Sequence, residues 1–200
     1  MGRCNLSCTW CDTPYTWDWE RFDPKVETRD LSTAFILEKL DEMDIERVVI
    51  TGGEPLLQQR RMTSLLERCK ERGFVIEIET NGTIVPSSEL LELVDQFNVS
   101  PKLANSGVVE DKRLVGQALL AFSQSGKSIF KFVVNDHSEL DEVHAVSEQF
   151  GLRPIWIMPQ ATTSDELQMR LRSMSDLVIE RGWNLTTRLQ VELWGDQRGR

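Results

Sequence analysis

Three of the four cysteines fall within eight residues, as Cys4, Cys8 and Cys11 in a C-x3-C-x2-C spacing. Thiolates so close in sequence can reach one small metal centre. A structural zinc ion normally closes with four ligands, and no fourth stands nearby; the two histidines, His137 and His144, lie far down the chain. Iron–sulfur clusters are held by cysteine thiolates, and three of them on a four-iron cube leave one iron open for another ligand. Cys69 stands apart, in a stretch of helical periodicity, and reads as a small hydrophobe of the core. Chance clustering of three cysteines is the plainer alternative, and the neighbouring residues count against it.

Those neighbours recur at one kind of place. Cys11-Asp12-Thr13, Thr51-Gly52-Gly53-Glu54-Pro55, Glu79-Thr80-Asn81-Gly82, Ser100-Pro101-Lys102 and Met158-Pro159-Gln160 are loop segments, and all but the first directly follow an expected strand. Active sites of parallel α/β barrels gather at the carboxyl ends of the strands, so these segments are candidates to converge on one concave face. Gly52 and Gly53 remove side chains where backbone must approach closely. Taken singly, each segment reads equally well as ordinary Gly and Pro punctuation of a loop.

The elements that must position them are legible as alternating patterns. Helices are expected from Ser32 to about Met43, over 60–72, 87–95, 111–124, 138–150 and 164–181. Strands are expected over 48–50, 74–78, 97–100, 129–134, 155–158 and 189–194, and a long loop over 12–30. This alternation argues for an α/β fold with a parallel sheet, as one domain over residues 1–200 without a dividing linker. Forty per cent hydrophobic and 28% charged residues are globular values that exclude wholesale disorder. The formal charge of −9 lacks the basic footprint of a nucleic-acid binder. No apolar run approaches the roughly 18 residues of a membrane helix, and the polar start does not read as an export signal. Cytoplasmic location and reduced thiols follow as expectations.

The cysteine spacing followed by Gly52-Gly53-Glu54-Pro55 after a strand resembles the radical S-adenosylmethionine (SAM) superfamily. The resemblance implies a partial, TIM-like parallel β/α barrel with a 4Fe-4S cluster on Cys4, Cys8 and Cys11. SAM would bind the open iron, and its reductive cleavage would yield a 5′-deoxyadenosyl radical that abstracts hydrogen from substrate. Cys11-Asp12-Thr13, Glu79-Thr80-Asn81-Gly82-Thr83 and Val99-Ser100-Pro101-Lys102 are, more narrowly, similar to the 7-carboxy-7-deazaguanine synthase family. Members convert 6-carboxy-5,6,7,8-tetrahydropterin to 7-carboxy-7-deazaguanine with loss of ammonia, on the route to 7-deazapurines such as queuosine, and need Mg2+. The likeness implies SAM contacts from Trp10, Cys11, Asp12, Gly53, Ser100, Pro101, Lys102, Met158, Pro159 and Gln160. It also implies a Thr13 oxygen on Mg2+ and a substrate contact from Thr51. Trp10 reads either as a wall against adenine or as a shield for the cluster. Glu79 reads either as a ligand contact or as a buried carboxylate paired with a loop amide.

The same likeness implies a pterin substrate, an electron donor such as flavodoxin or ferredoxin, and a homodimer. Only Met1-Gly2-Arg3 precedes Cys4, fewer residues than a typical strand of about five or six. The expectation is therefore that the strand preceding the cluster loop, a Gln-Gly-Glu segment and a substrate-pairing arginine of the family are missing. Two other functions compete: an activating enzyme that generates a glycyl radical on a partner protein, and a non-catalytic metal-binding protein on the same fold.

Overall fold

Residues 2–198, which the computed structural model describes, build an α/β structure from alternating strands and helices. The strands are β1 (Arg47–Ile50), β2 (Val75–Thr80), β3 (Gln96–Val99), β4 (Ser128–Val134), β5 (Ile155–Pro159) and β6 (Asn184–Leu185). The helices are α1 (Pro24–Glu27), α2 (Thr33–Asp41), α3 (Gln59–Glu71), α4 (Ser88–Leu93), α5 (Glu110–Arg113), α6 (Gly116–Gln124), α7 (Leu140–Phe150), α8 (Ser164–Glu180) and α9 (Leu189–Trp194). All strand pairs are parallel, in the order β1-β2-β3-β4-β5-β6. Parallel crossovers share one hand. Sequential order therefore places the helices on one face and leaves the other open, which is the winding of a partial barrel rather than of a doubly wound sheet.

Strand alternation divides the side chains between these faces. Ile76, Ile78, Phe97, Val99, Phe130, Phe132, Val134, Ile155 and Ile157 are buried in the main core. The helices answer with 3.6-residue spacing, as in α3, where Met62, Leu65, Leu66 and Cys69 are buried on one stripe. The opposite residues of β1–β5 are half polar, as Arg47, Glu77, Glu79, Gln96, Asn98 and Lys131, and half apolar, as Val49, Ile129, Val133 and Met158 among others. Register sets Glu77 beside Gln96 and Glu79 beside Asn98. The Asn98 amide donates to Glu77 at 2.9 Å, and Gln96 donates to Asn98 at 2.8 Å, so hydrogen bonds knit the concave face. Helix starts follow local chemistry. Ser32, Ser87 and Thr163 accept through their hydroxyls from backbone N–H groups three residues on.

Three expectations need correction. Leu189–Trp194 is helix α9, and the last strand is Asn184–Leu185. Alternating Leu189, Val191 and Leu193 imitates a strand, yet Leu189 and Leu193 are each 58% exposed and Val191 alone is buried at 2%. Val191 packs with Ala161 and Leu167 in a small separate cluster, and one buried position per two turns suffices for a short helix packed against α8. Residues 12–30 are not all loop: Pro14 and Pro24 each open a helical turn, and the Asp23 carboxylate caps α1. The helix over 111–124 is two helices, parted where Leu114 and Val115 leave helical geometry.

The Phe97 and Phe122 rings meet edge to face with centroids 5.2 Å apart, joining β3 to α6. Phe97→Ala should destabilise the protein by about 3–5 kcal/mol in urea unfolding. A double-mutant cycle with Phe122→Leu should show coupling of about 0.5–1.5 kcal/mol; additivity would mean that the two rings act independently.

Candidate active site

The cysteine loop, residues 4–16, lies across the carboxyl ends of the strands and is fastened at both ends and in the middle. Glu54 supplies the first fastening. It is fully buried. Its Oε2 accepts from the Asn81 N–H at 2.7 Å, and its Oε1 accepts from the Thr80 hydroxyl at 2.8 Å and the Leu56 N–H at 3.0 Å. Burial raises the Glu54 carboxyl above its ordinary range, against the lowering pull of those three donors. The Glu54 backbone N–H donates to the Arg3 carbonyl at 2.7 Å. Next to it, a Cβ on Gly53 would lie 2.5 Å from the Arg3 carbonyl carbon and 2.7 Å from the Cys4 nitrogen. The glycine is required because the start of the cysteine loop rests on it.

The other fastenings come from the next strand ends. Asn81 donates to Asn5 at 2.9 Å, and Asn5 donates to the Thr83 hydroxyl at 2.9 Å. Past β3, the Thr9 N–H donates to the Ser106 carbonyl at 3.0 Å, and the Trp10 indole N–H donates to Asn105 at 3.1 Å. Gly107, at φ +72, lies where a Cβ would be 2.8 Å from the Thr9 methyl. The loop closes on itself through Cys4 N–H to the Thr16 carbonyl at 2.9 Å and Cys11 N–H to the Cys8 carbonyl at 3.2 Å. On the far side, Arg188 donates to Asp12 at 2.6 Å.

Cys4, Cys8 and Cys11 are free thiols and all line one cavity of about 510 Å³. Burial pushes the Cys8 thiol up to about 11, and the Cys4 thiol upward as well; repulsion between the thiols adds to this, and Lys102 opposes it. Among the described residues, no three His, Cys, Asp or Glu side chains close on a single metal ion. The donor set instead suits a larger polynuclear group. Three mutually repelling sulfurs around a roomy cavity would be deprotonated and held together by a cationic iron centre.

Most residues expected at the site line this cavity: Trp10, Asp12, Thr13, Thr51, Gly53, Ser100, Lys102 and Met158. The Thr13 hydroxyl lies 3.5 Å from the Cys11 sulfur. Lys102 donates to the Ser100 hydroxyl at 2.9 Å and stands 5.5 Å from the centre of the Trp10 ring, so one face of that ring is covered by an ammonium. The Arg113 guanidinium holds the Lys102 carbonyl at 2.9 Å, and burial lowers the lysine's affinity for its proton. Pro101, Pro159 and Gln160 are not part of the lining. Gln160 is turned to Arg170, which donates to its side-chain oxygen at 3.2 Å.

Glu79 is not the carboxylate paired with loop amides; that is Glu54. Glu79 faces the cavity, accepting from the Thr51 hydroxyl at 3.1 Å and from Lys131 at 3.3 Å. Sequence reasoning passed over Lys131, Asn98, Thr186, Arg188 and Gln190, which also line the cavity. For Asn98 and Lys131 a signal existed: polar residues alternating with Phe97, Val99, Phe130 and Phe132 inside strands that are otherwise buried.

Comparisons with known proteins place this geometry. Residues 1–106 match the Radical SAM superfamily. The chain is 34% identical to the 7-carboxy-7-deazaguanine synthase of Pyrobaculum aerophilum over its whole length and 86% of that protein. It is 32% identical to that of Halobacterium salinarum, covering 96% of this chain and 80% of the relative. A crystal structure of QueE from Escherichia coli superposes with a TM-score of 0.60 at 23% identity, covering 93% of this chain and 81% of the other. Streptococcus suis SuiB bound to S-adenosylmethionine gives a TM-score of 0.63 at 17% identity, over 94% and 48%.

Gly53→Ala should keep the helix and strand content seen by circular dichroism. It should lose most of the iron taken up on anaerobic reconstitution, because the new Cβ displaces the Arg3–Cys4 backbone. Wild-type iron and sulfide content in the variant would show that the close approach is dispensable.

Proposed function

Because the chain belongs to the radical SAM superfamily, and within it to the 7-carboxy-7-deazaguanine synthase family, we propose that it converts 6-carboxy-5,6,7,8-tetrahydropterin to 7-carboxy-7-deazaguanine. The observation that carries the reading is the convergence of Cys4, Cys8 and Cys11 on one cavity with the loops after β1 and β3. A 4Fe-4S cluster on these thiols, with SAM bound to it, would supply the electron and the carbon radical for hydrogen abstraction.

The residues of the chain do the rest. Cys4, Cys8 and Cys11 hold the cluster. Gly53 keeps the first of them against the end of β1. Ser100 and Lys102 present polar groups from the end of β3, and Met158 adds an apolar wall from β5; these residues, with Trp10, Cys11 and Asp12, form the SAM subsite. Thr13 offers a hydroxyl oxygen to Mg2+, a hard cation that takes few protein ligands and completes its shell with water and substrate. Thr51, tied to Glu79, faces the substrate space. The protein walls exclude water from a reactive radical. A one-electron carrier such as flavodoxin or ferredoxin would reduce the cluster, and the working form would be a homodimer. Among the described residues no helix is long and apolar enough to cross a membrane.

The test is anaerobic reconstitution followed by chromatography of SAM and pterin products. Alanine at Cys4, Cys8 or Cys11 should abolish SAM cleavage, while Cys69→Ala, in the core of α3, should retain it. Thr13→Ala should blunt stimulation by Mg2+ at unchanged iron content. A wild-type protein that loads iron and cleaves SAM but leaves the carboxypterin untouched would overturn the substrate assignment.

A further inference from the structure

The contact between Asp12 and Arg188 joins residues 176 positions apart. Arg188 lies between β6 and α9 and is only 7% exposed. One guanidinium nitrogen donates to Asp12 at 2.6 Å, and another donates to the Ala161 carbonyl at 2.9 Å. Its Nε is buried without a partner, as is the hydroxyl of the preceding Thr187. A buried guanidinium with an unmet donor is costly. A leucine or methionine would fill the same volume without that cost, so the fold alone does not explain an arginine here.

Position explains it better. The fastenings of the cysteine loop at Glu54, Asn81 and Asn105 all come from the β1–β3 side of the sheet. Arg188 comes from the opposite edge, beyond β6, and its arms join Ala161, just past β5, to Asp12. Asp12 sits between the third cysteine and Thr13. The pair thus joins the far edge of the partial barrel to the cysteine loop just after Cys11. The Asp12 side chain is 51% exposed, while that of Arg188 is 8% exposed, so the anchored partner is the arginine.

We propose that Arg188 is a positioning residue for the SAM subsite: it latches Asp12 across the mouth of the sheet and so fixes Cys11 and Thr13. The inference rests on the cysteine loop holding a cluster and SAM. It assigns the Asp12 carboxylate to the latch, which leaves Asp12 to meet SAM through its backbone.

Four variants decide it: Asp12→Asn, Arg188→Met, Arg188→Lys and the double variant Asp12→Asn/Arg188→Met. SAM affinity is read from the change in the electron paramagnetic resonance spectrum of the reduced cluster during SAM titration. Loop order is read from hydrogen exchange over residues 8–16 in the cluster-bound and metal-free chain. With the latch, each of Asp12→Asn and Arg188→Met keeps its iron, binds SAM about tenfold more weakly and exchanges about tenfold faster over 8–16, as loss of one charge-assisted bond implies. The double variant is then no worse than either single one, and Arg188→Lys recovers part of the loss. If Asp12→Asn alone weakens SAM, or if the two effects multiply, the carboxylate contacts SAM directly and the latch is wrong. Wild-type exchange and SAM affinity in Arg188→Met would also sink it. A wild-type protein that binds SAM but does not convert the pterin removes the substrate assignment and leaves these measurements valid. One that takes up no cluster removes the functional reading altogether, and exchange in the metal-free chain then decides the latch by itself.

Discussion

The buried carboxylate of Glu54 is the contact on which the site depends. It gathers a hydroxyl and two backbone N–H groups from the end of β2 and the turn after β1, while its own N–H holds the carbonyl before Cys4. Burying a carboxylate costs several kcal/mol, and three donors on two oxygens are the kind of set that offsets it. Removing any partner would leave a charge or a donor stranded in the core. The arrangement therefore has one register, and the cysteine loop inherits it.

From that point the loop is held from both sides of the sheet: Asn81 to Asn5 and Asn105 to Trp10 past β2 and β3, and Arg188 to Asp12 from beyond β6. These anchors all lie at one end of the sheet because its strands are parallel and sequential, so every β-to-α turn opens on the same end. A flexible loop bearing three mutually repelling sulfurs would pay a large ordering cost on binding a cluster; fastened this way, most of that ordering is complete beforehand.

The concave face has a second property that follows from leaving one side of the sheet without helices. Its strand residues are free to be polar, and they pair among themselves and with the loop residue Thr51: Gln96 with Asn98, Asn98 with Glu77, Thr51 and Lys131 with Glu79. Such a network holds side chains in place without helices packed over them. Three of its members, Glu79, Asn98 and Lys131, turn hydrogen-bonding groups to the cavity that the cysteines line.

Local chemistry in the sequence determined a good deal. Cysteine spacing, the Gly-Gly-Glu-Pro turn and the alternation of apolar strands with amphipathic helices depend on near neighbours, and they placed the thiols, most of the elements and the parallel α/β class. Short-range pattern failed where two structures share one pattern: Leu189, Val191 and Leu193 alternate as in a strand yet form α9, because only Val191 finds a buried neighbour. Tertiary structure alone decided which of two carboxylates is tied to the loop amides, Glu54 rather than Glu79, since Glu54 lies just past β1 and Glu79 near the end of β2, and only packing selects the one that meets the N–H of Asn81. It decided that Gly53 makes room for the Arg3–Cys4 backbone, and that Arg188 reaches Asp12. These are contacts between segments far apart in the chain. No local propensity encodes them, because their energies exist only after the sheet has brought its strand ends together.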